Sequence, residues 1–468
     1  MIRTYRLPSP DRTGWLLGLG PDRLVPAGVG LVVSVLVLSG TGSVLLAAVP
    51  VTVGLALGSI RPGGRPLTEL IPAAATFALR RHHRRFSAPL VPRPLATTAL
   101  PHPLDRQEFL EGHTSDGRPV AIVADRRGGT VAATVRLCSP SPFLLAPDAE
   151  QERLVAAFGE ALGTLHRERS RVLHLRWASF AAPHPPLPHG GSGPAAAATA
   201  EVSRAVADVA VHDVLLTLVL AKDRHEDDER LVARVAGTVE RLSERLQAAG
   251  FDISPIDSPD LATALRRRLD PAASPAARRH RSLAELAGLV VPADVGPSGM
   301  EEDWDGLRVD GTRHRAYRVQ SWPRGAVQAE WMGDLLLTLP PPRSVCVLFE
   351  PVRPPASRRA IERDMARLDS DAEQRRRSGF RIGADHDAAR EALARREAEF
   401  TAGHPEVLTA GVVILSAGSS EELDEREAEA FSGAAAAGVE LAPWSGCHSA
   451  GFALSLPVAF TPDSGRAQ

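Results

Sequence analysis

The stretch Ala248-Ala249-Gly250-Phe251-Asp252-Ile253-Ser254-Pro255 can be laid over Ala436-Ala437-Gly438-Val439-Glu440-Leu441-Ala442-Pro443, with the Ala-Ala-Gly start and the closing Pro in common. Each copy follows an apolar run that reads as a buried strand, residues 214–221 in one case and 412–417 in the other, and then a helical segment. In both, a glycine stands where a helix ends and a strand begins, the position that favours a left-handed cap. The sequence therefore reads as an internal duplication.

Outward from the first copy, residues 120–124 and 130–137 bracket Arg126-Arg127-Gly128-Gly129 as a β-hairpin would. A helix is expected over 148–166, and Leu173, Leu175 and Trp177 alternate with polar residues as in a strand. Residues 181–198, rich in Pro, Gly and Ala, read as an exposed loop, followed by strand 214–221, amphipathic helix 228–249, strand 251–255 and helix 260–269. Residues 271–311 read as irregular. The pattern then resumes with strand 316–322, helix 326–336, strand 344–351 and a long charged helical region. Within that region Ile361, Met365, Leu368 and Ala372 form a narrow apolar seam, read as a helix lying on its own sheet or docking a partner helix. Two such strand-and-helix repeats predict an α+β fold made of two duplicated ferredoxin-like units.

The N-terminal part has a different character. Between Leu24 and Ile60 there is no charged residue, and Ser39-Gly40-Thr41-Gly42 divides the run into two apolar halves. This predicts a transmembrane helical hairpin, since about 20 residues cross a bilayer. Arg3, Arg6, Arg12 and Arg23 precede it and Arg61, Arg65, Arg80, Arg81, Arg84 and Arg85 follow it, which predicts that both ends are cytoplasmic. The turn carries no arginine. Residues 67–86 read either as an interfacial basic helix suited to anionic lipid or as a basic flank that only sets topology, and the prolines of 89–103 as a semi-rigid linker. The expected divisions are 1–23 (cytoplasmic start), 24–60 (hairpin), 61–103 (juxtamembrane helix and linker), 104–270 (first α+β domain), 271–311 (linker), 312–460 (second domain) and 461–468 (tail).

Composition narrows the classes of function. The 468 residues carry 54 Lys plus Arg against 56 Asp plus Glu, a formal charge of −2, so no whole-protein field attracts nucleic acid and direct nucleic-acid binding is not expected. Abundant Ala, Arg and Pro suggest a GC-rich genome, such as that of an actinobacterium. Cys138, Cys346 and Cys447 are far apart and lack metal-ligand spacing, so neither a disulfide framework nor a zinc site is predicted.

A nucleotide-driven motor needs a glycine-rich loop closing on Lys followed by Ser or Thr. The one lysine of the chain, Lys222, has no glycine before it and Asp223 after it, so a P-loop is excluded. Among the histidines no HExxH occurs. Asp385-His386-Asp387 and His225-Glu226-Asp227-Asp228-Glu229 precede helices, where acids act as caps more readily than as metal ligands. His184 and His189 read as solvated loop residues, and the neighbouring Gly190-Gly191-Ser192-Gly193 lacks the preceding strand that a phosphate cradle needs. Cys447 and His448 are adjacent in sequence but lack an orienting third group for nucleophilic catalysis. No catalytic, cofactor-binding or metal residue is assigned, and the chain is read as a non-enzyme without a cofactor.

Several segments together resemble the actinobacterial membrane proteins related to PrgI and the region preceding the ATPase domain in conjugation ATPases of type IV secretion. They are Gly14-Trp15-Leu16-Leu17-Gly18-Leu19, Thr130-Val131-Ala132-Ala133-Thr134-Val135, Tyr317-Arg318-Val319-Gln320-Ser321-Trp322 and Val345-Cys346-Val347-Leu348-Phe349-Glu350-Pro351. The similarity continues through Ala372-Glu373, Gly379-Phe380-Arg381, Arg396-Glu397-Ala398-Glu399, Gly403-His404 and Gly411-Val412-Val413. The resemblance implies a non-catalytic scaffold or docking subunit at the inner membrane of a type IV-like secretion or conjugation machine. Its implied partners are a separate ATPase, other inner-membrane subunits, membrane lipid and possible further copies of itself. Two alternatives stand beside it: the membrane component of a type VII secretion system, and a membrane-bound enzyme without a recognisable motif.

Overall fold

The computed structural model describes residues 21–60, 67–81, 84–87, 100–138, 143–167, 171–183, 194–205, 210–223, 225–271, 296–323, 325–377, 379 and 383–461. The first elements are helices α1 (Pro21–Thr41), α2 (Val44–Ser59) and α3 (Leu67–Leu79). Strands β1 (Arg85–Ser87), β2 (Gln107–His113), β3 (Pro119–Asp125) and β4 (Thr130–Cys138) follow, then α4 (Asp148–Arg167), β5 (Val172–Pro183), α5 (Pro194–Ala205) and β6 (Ala210–Ala221). Next come α6 (Asp228–Ala248), β7 (Asp252–Pro255), α7 (Ser258–Leu269), β8 (Gly299–Glu302), β9 (Leu307–Val309) and β10 (Thr312–Ser321). The chain ends with α8 (Met332–Thr338), β11 (Arg343–Pro351), α9 (Pro354–Arg377), α10 (Ala384–Thr401), β12 (Val407–Ala417), α11 (Ser420–Ala436), β13 (Glu440–Pro443) and α12 (His448–Ser455).

Contacts divide the chain into two units. One holds the described residues of 81–351 and 407–461, and the other those of 21–80 and 352–406.

The first unit is built on one antiparallel sheet of thirteen strands, in the order β1-β8-β9-β10-β12-β11-β5-β6-β4-β3-β2, with β13 on β10 and β7 on β4. The expectation of two ferredoxin-like units is therefore corrected. The repeated pattern exists, because β4 pairs with β6 and β7 while β10 pairs with β12 and β13, but the halves are not separate. They join where β11 runs antiparallel to β5, from Arg343 opposite Ala181 to Phe349 opposite Leu175. Alternation identifies a strand but not its partner, and this partner lies far away in sequence.

The duplicated stretches do form matching caps. Gly250 has φ +92° and Gly438 φ +71°; Phe251 N–H donates to Leu246 O at 2.9 Å and Val439 N–H to Ala434 O at 2.8 Å. A side chain would strain both glycines, and the paired bonds close the helix and launch the next strand.

Alternation along the strands fills three layers. One face, covered by α7, α12 and the chain after it, gathers Ala132, Ala178, Val219, Cys346, Val412 and Ile414 into a single cluster spanning both halves. On the other face Leu175, Leu216 and Leu218 meet Leu231, Val235 and Val239 of α6, while Tyr317, Val345, Val413 and Leu415 meet Leu335 of α8 with Leu423 and Ala430 of α11. Trp177 touches both of these clusters.

The stretch expected to be irregular, 271–311, carries β8 and β9 in its described part. The basic helix expected to reach Phe86 stops at Leu79, and Phe86 lies in β1 and packs on the sheet core. The loop expected over 181–198 begins later, because β5 runs to Pro183, and Pro194 opens α5.

In the second unit α1 and α2 lie against each other, with Gly30 and Gly54 at the crossing. A Cβ on Gly30 would meet Pro50 O, and one on Gly54 would meet Pro26 O, so the backbones approach as only glycines permit. The transmembrane hairpin is corrected: among the described residues no helix is long and apolar enough to cross a membrane. The 16 residues of α2 rise roughly 24 Å against a hydrocarbon core of about 30 Å. Both helices leave apolar side chains exposed, among them Leu31, Val35, Leu36 and Leu45. Elsewhere in the unit α9 pairs with α10 across Ile361, Leu368 and Leu393, so the apolar seam of α9 is covered by its neighbouring helix and not by a sheet.

Candidate functional site

Among the described residues, a set of enclosed charged and polar side chains is held by β4, β5, β6, α7 and β10. Arg268, in the last turn of α7, is 2% exposed and pairs with Asp213 of β6 at 3.0 Å. Arg136 of β4 reaches the same carboxylate at 3.1 Å, and Phe180 of β5 lies 4.8 Å from the Arg268 guanidinium. Burial opposes the charge on Asp213, but Arg268 and Arg136 outweigh it and hold the carboxyl below its ordinary range.

Next to this group His314 of β10 is buried, with Nδ1 2.9 Å from Ser416 Oγ and Nε2 3.1 Å from Leu269 O. Burial pushes its pKa down to about 4, so the ring is neutral at physiological pH. Because a carbonyl only accepts, Nε2 carries the proton and Nδ1 accepts from the serine hydroxyl. Thr312 Oγ1 donates to Asp270 at 2.6 Å.

On the same face of the sheet Arg176 of β5 is enclosed. Its Nη1 donates to Leu454 O at 3.1 Å and Ala453 O at 3.4 Å, and its Nη2 to Val458 O. Cys346 Sγ lies 3.4 Å from Leu454 O, and burial pushes that thiol up to about 12, which leaves it unreactive at neutral pH. One arginine thus ties the C-terminal segment to the centre of the sheet.

The residues singled out in the sequence are scattered across this framework. Asp227 caps α6 by accepting from Arg230 N–H at 2.8 Å, Glu226 pairs with Arg234 at 2.7 Å and Lys222 with Asp228 at 3.0 Å. The cap of α10 differs from expectation: Gly383 is the N-cap and makes no side-chain bond, while His386 lies inside the helix, buried, with Nε2 3.1 Å from Leu368 O of α9. His448 accepts from Ala316 N–H at 3.1 Å through Nδ1 and meets Trp304 O at 3.2 Å through Nε2, so both ring nitrogens face backbone. The adjacent Ser449 donates from N–H and Oγ to Glu302 at 2.7 and 3.0 Å. Cys138, Cys346 and Cys447 are free thiols. His184, His189 and the glycines 190, 191 and 193 lie outside the described residues. Among the described residues no group of three or more His, Cys, Asp or Glu side chains is placed to hold a metal ion.

Sequence reading missed Arg176, Arg268 and Asp213. In Leu173-His174-Leu175-Arg176-Trp177 the polar positions look solvent-facing, yet His174 and Arg176 are both buried because the sheet is covered on both faces. The available signal was the polar residue between long apolar strands, and it could not distinguish a covered face from a wet one.

These features define an α+β framework in which the enclosed side chains of Arg176, Arg268, His314 and His448 are each engaged by other groups of the fold. Comparison with family models matches residues 209–319 to a family described as "Putative type VII ESX secretion system translocon, EccE". The match covers about a quarter of the chain. It runs from β6 in one half, through α6, β7, α7, β8 and β9, into β10 of the other half, and it contains Asp213, Arg268 and His314. No curated protein matches the chain. The similarity is to a secretion-system family, and it lends nothing to the type IV, PrgI-related reading.

Proposed function

We propose that this chain is a non-catalytic docking subunit of a type VII secretion system, working at the inner membrane in association with that system's membrane subunits. The observation that carries the reading is the match of residues 209–319 to the EccE family, on the segment that links the two halves of the sheet. The framework suits docking, since it offers a rigid sheet covered on both faces and a charged helical pair, α9 and α10, between β11 and β12 in the chain. A non-catalytic role is favoured by the histidines best placed for chemistry: His314 and His448 each spend their ring nitrogens on backbone or serine partners. A secretion ATPase of the same system belongs among the proposed neighbours, because the chain lacks a P-loop lysine of its own.

The test is purification of the tagged full chain from native membranes in mild detergent, with identification of everything recovered at near-stoichiometric amount. Type VII subunits, including an FtsK-like ATPase, are the expected company. A conjugation-type ATPase would return the assignment to type IV secretion, and recovery without any secretion-system subunit would overturn the proposal.

A further inference from the structure

Arg343 opens β11 and is 2% exposed, yet among the described residues its Nε and Nη1 meet no hydrogen-bond acceptor. The strand ladders place it in one row with Ala181 of β5 and Leu415 of β12. The row continues to His212 of β6 beyond Ala181, and to Arg315 of β10 beyond Leu415. Residues in such a row share a face.

The two arginines of the row flank Leu415 but differ in what they meet. Arg315 reaches Asp424 at 2.6 Å and also pairs with Glu427, both on α11. Against Arg343 burial acts alone, drawing its pKa down to about 10, and among the described residues no carboxylate pairs with it, so it remains a cation at neutral pH. The other enclosed arginines each have compensation: Arg268 has Asp213, and Arg176 has three carbonyls. An enclosed charge without such compensation is costly, so an anion that met it would be bound favourably.

The surroundings suit a small anion. Only the methyl of Ala181 stands in the row between Arg343 and His212. His212 is exposed at this end of the row, and the buried Ser179 Oγ lies 3.4 Å from its Nδ1. Desolvation of the ring and the Arg343 charge both hold His212 below the ordinary histidine value, so it is neutral at pH 7. The row therefore offers one uncompensated positive charge with two neutral hydrogen-bonding groups beside it. That matches a monoanion, whereas a phosphate dianion would keep an unbalanced charge. The guanidinium fork fits the two oxygens of a carboxylate.

We propose that Arg343, with the buried Ser179 beside it and His212 at the exposed end of the row, forms a carboxylate-binding site. The carboxylate comes either from a small molecule or from an acidic side chain of a polypeptide, and the two sources are separable.

Thermal unfolding of the purified full chain is followed at pH 7 as acetate replaces chloride at fixed ionic strength, and in parallel with acetyl-Gly-Glu-Gly-amide. The expected result is a saturable rise in Tm of roughly 2 °C or more. A rise with acetate alone assigns a small-molecule carboxylate, and a rise with the peptide assigns a protein side chain. Arg343→Met should abolish the rise while unfolding no earlier than the parent in chloride, because it removes an uncompensated charge. No rise with either probe, or the same rise in Arg343→Met, overturns the site. If Arg343→Met does not fold, Arg343→Lys decides: loss of the fork should weaken the half-saturating concentration about tenfold, and an unchanged response overturns the proposal.

Discussion

Asp213 of β6 and Arg268 of α7 form an ion pair of 3.0 Å with the arginine almost wholly enclosed, joining the sheet to the helix that covers it. Removing one member of a buried pair leaves the other uncompensated. Asp213→Ala should therefore destabilise the fold by about 3–5 kcal/mol, read as a lower midpoint in urea unfolding. Arg136→Ala, which removes a partly exposed arm from the same carboxylate, should cost clearly less. An equal loss in the two variants would show that the pair is not what holds α7.

Acid should weaken the protein before the carboxylates titrate. His314 is neutral when folded, with a pKa of about 4, while an unfolded histidine titrates near 6.5. The unfolded chain thus binds a proton that the folded chain refuses, and stability falls as pH drops from about 6.5 towards 4, by roughly 3 kcal/mol for this group. Asp213 acts lower down: its folded carboxyl sits below the ordinary value, so its contribution is present above about pH 4 and is lost as pH falls further. Urea midpoints measured from pH 7.5 to 4.5 should slope downward in the parent and less steeply in His314→Gln.

Arg176 is expected to control the C-terminal segment more than the sheet. Its guanidinium serves the carbonyls of Ala453, Leu454 and Val458, so Arg176→Met removes one donor from each of three buried acceptors while keeping most of the side-chain volume. Hydrogen exchange should show protection lost first over residues 448–460, with β5 and β6 exchanging later. Simultaneous loss in both places would mean that the arginine supports the sheet itself.

Two glycines should respond to alanine with opposite signs. A Cβ on Gly411 of β12 would stand 2.5 Å from Val319 Cγ2 and 2.7 Å from Trp322 Cη2, so Gly411→Ala should destabilise by about 1–3 kcal/mol. Gly159, within α4, has nothing within 4 Å of such an atom, and Gly159→Ala should stabilise by about 0.5–1 kcal/mol. Tm measured on both variants checks the pair.

The sequence by itself determined the local elements. The hairpin β3–β4, helix α6 with its Asp227 cap, and the glycine-terminated helices before β7 and β13 follow from residues within a few positions of one another, through alternation, capping and the need for positive φ at Gly250 and Gly438. The same local logic failed at α8, expected over 326–336 and found only at Met332–Thr338, where packing of Leu335 and Leu339 beneath α11 defines the helical turn more than propensity does. Tertiary structure alone decided that β5 meets β11 and makes one sheet of the two repeats. It also decided that Arg176, Arg268 and Arg343 are enclosed, and that Gly30 and Gly54 are the points at which α1 and α2 approach. The reason is physical: a strand's period and a helix's cap are written in neighbouring residues, whereas a strand's partner and the cover over its face are chosen by surfaces that meet only when distant parts of the chain come together.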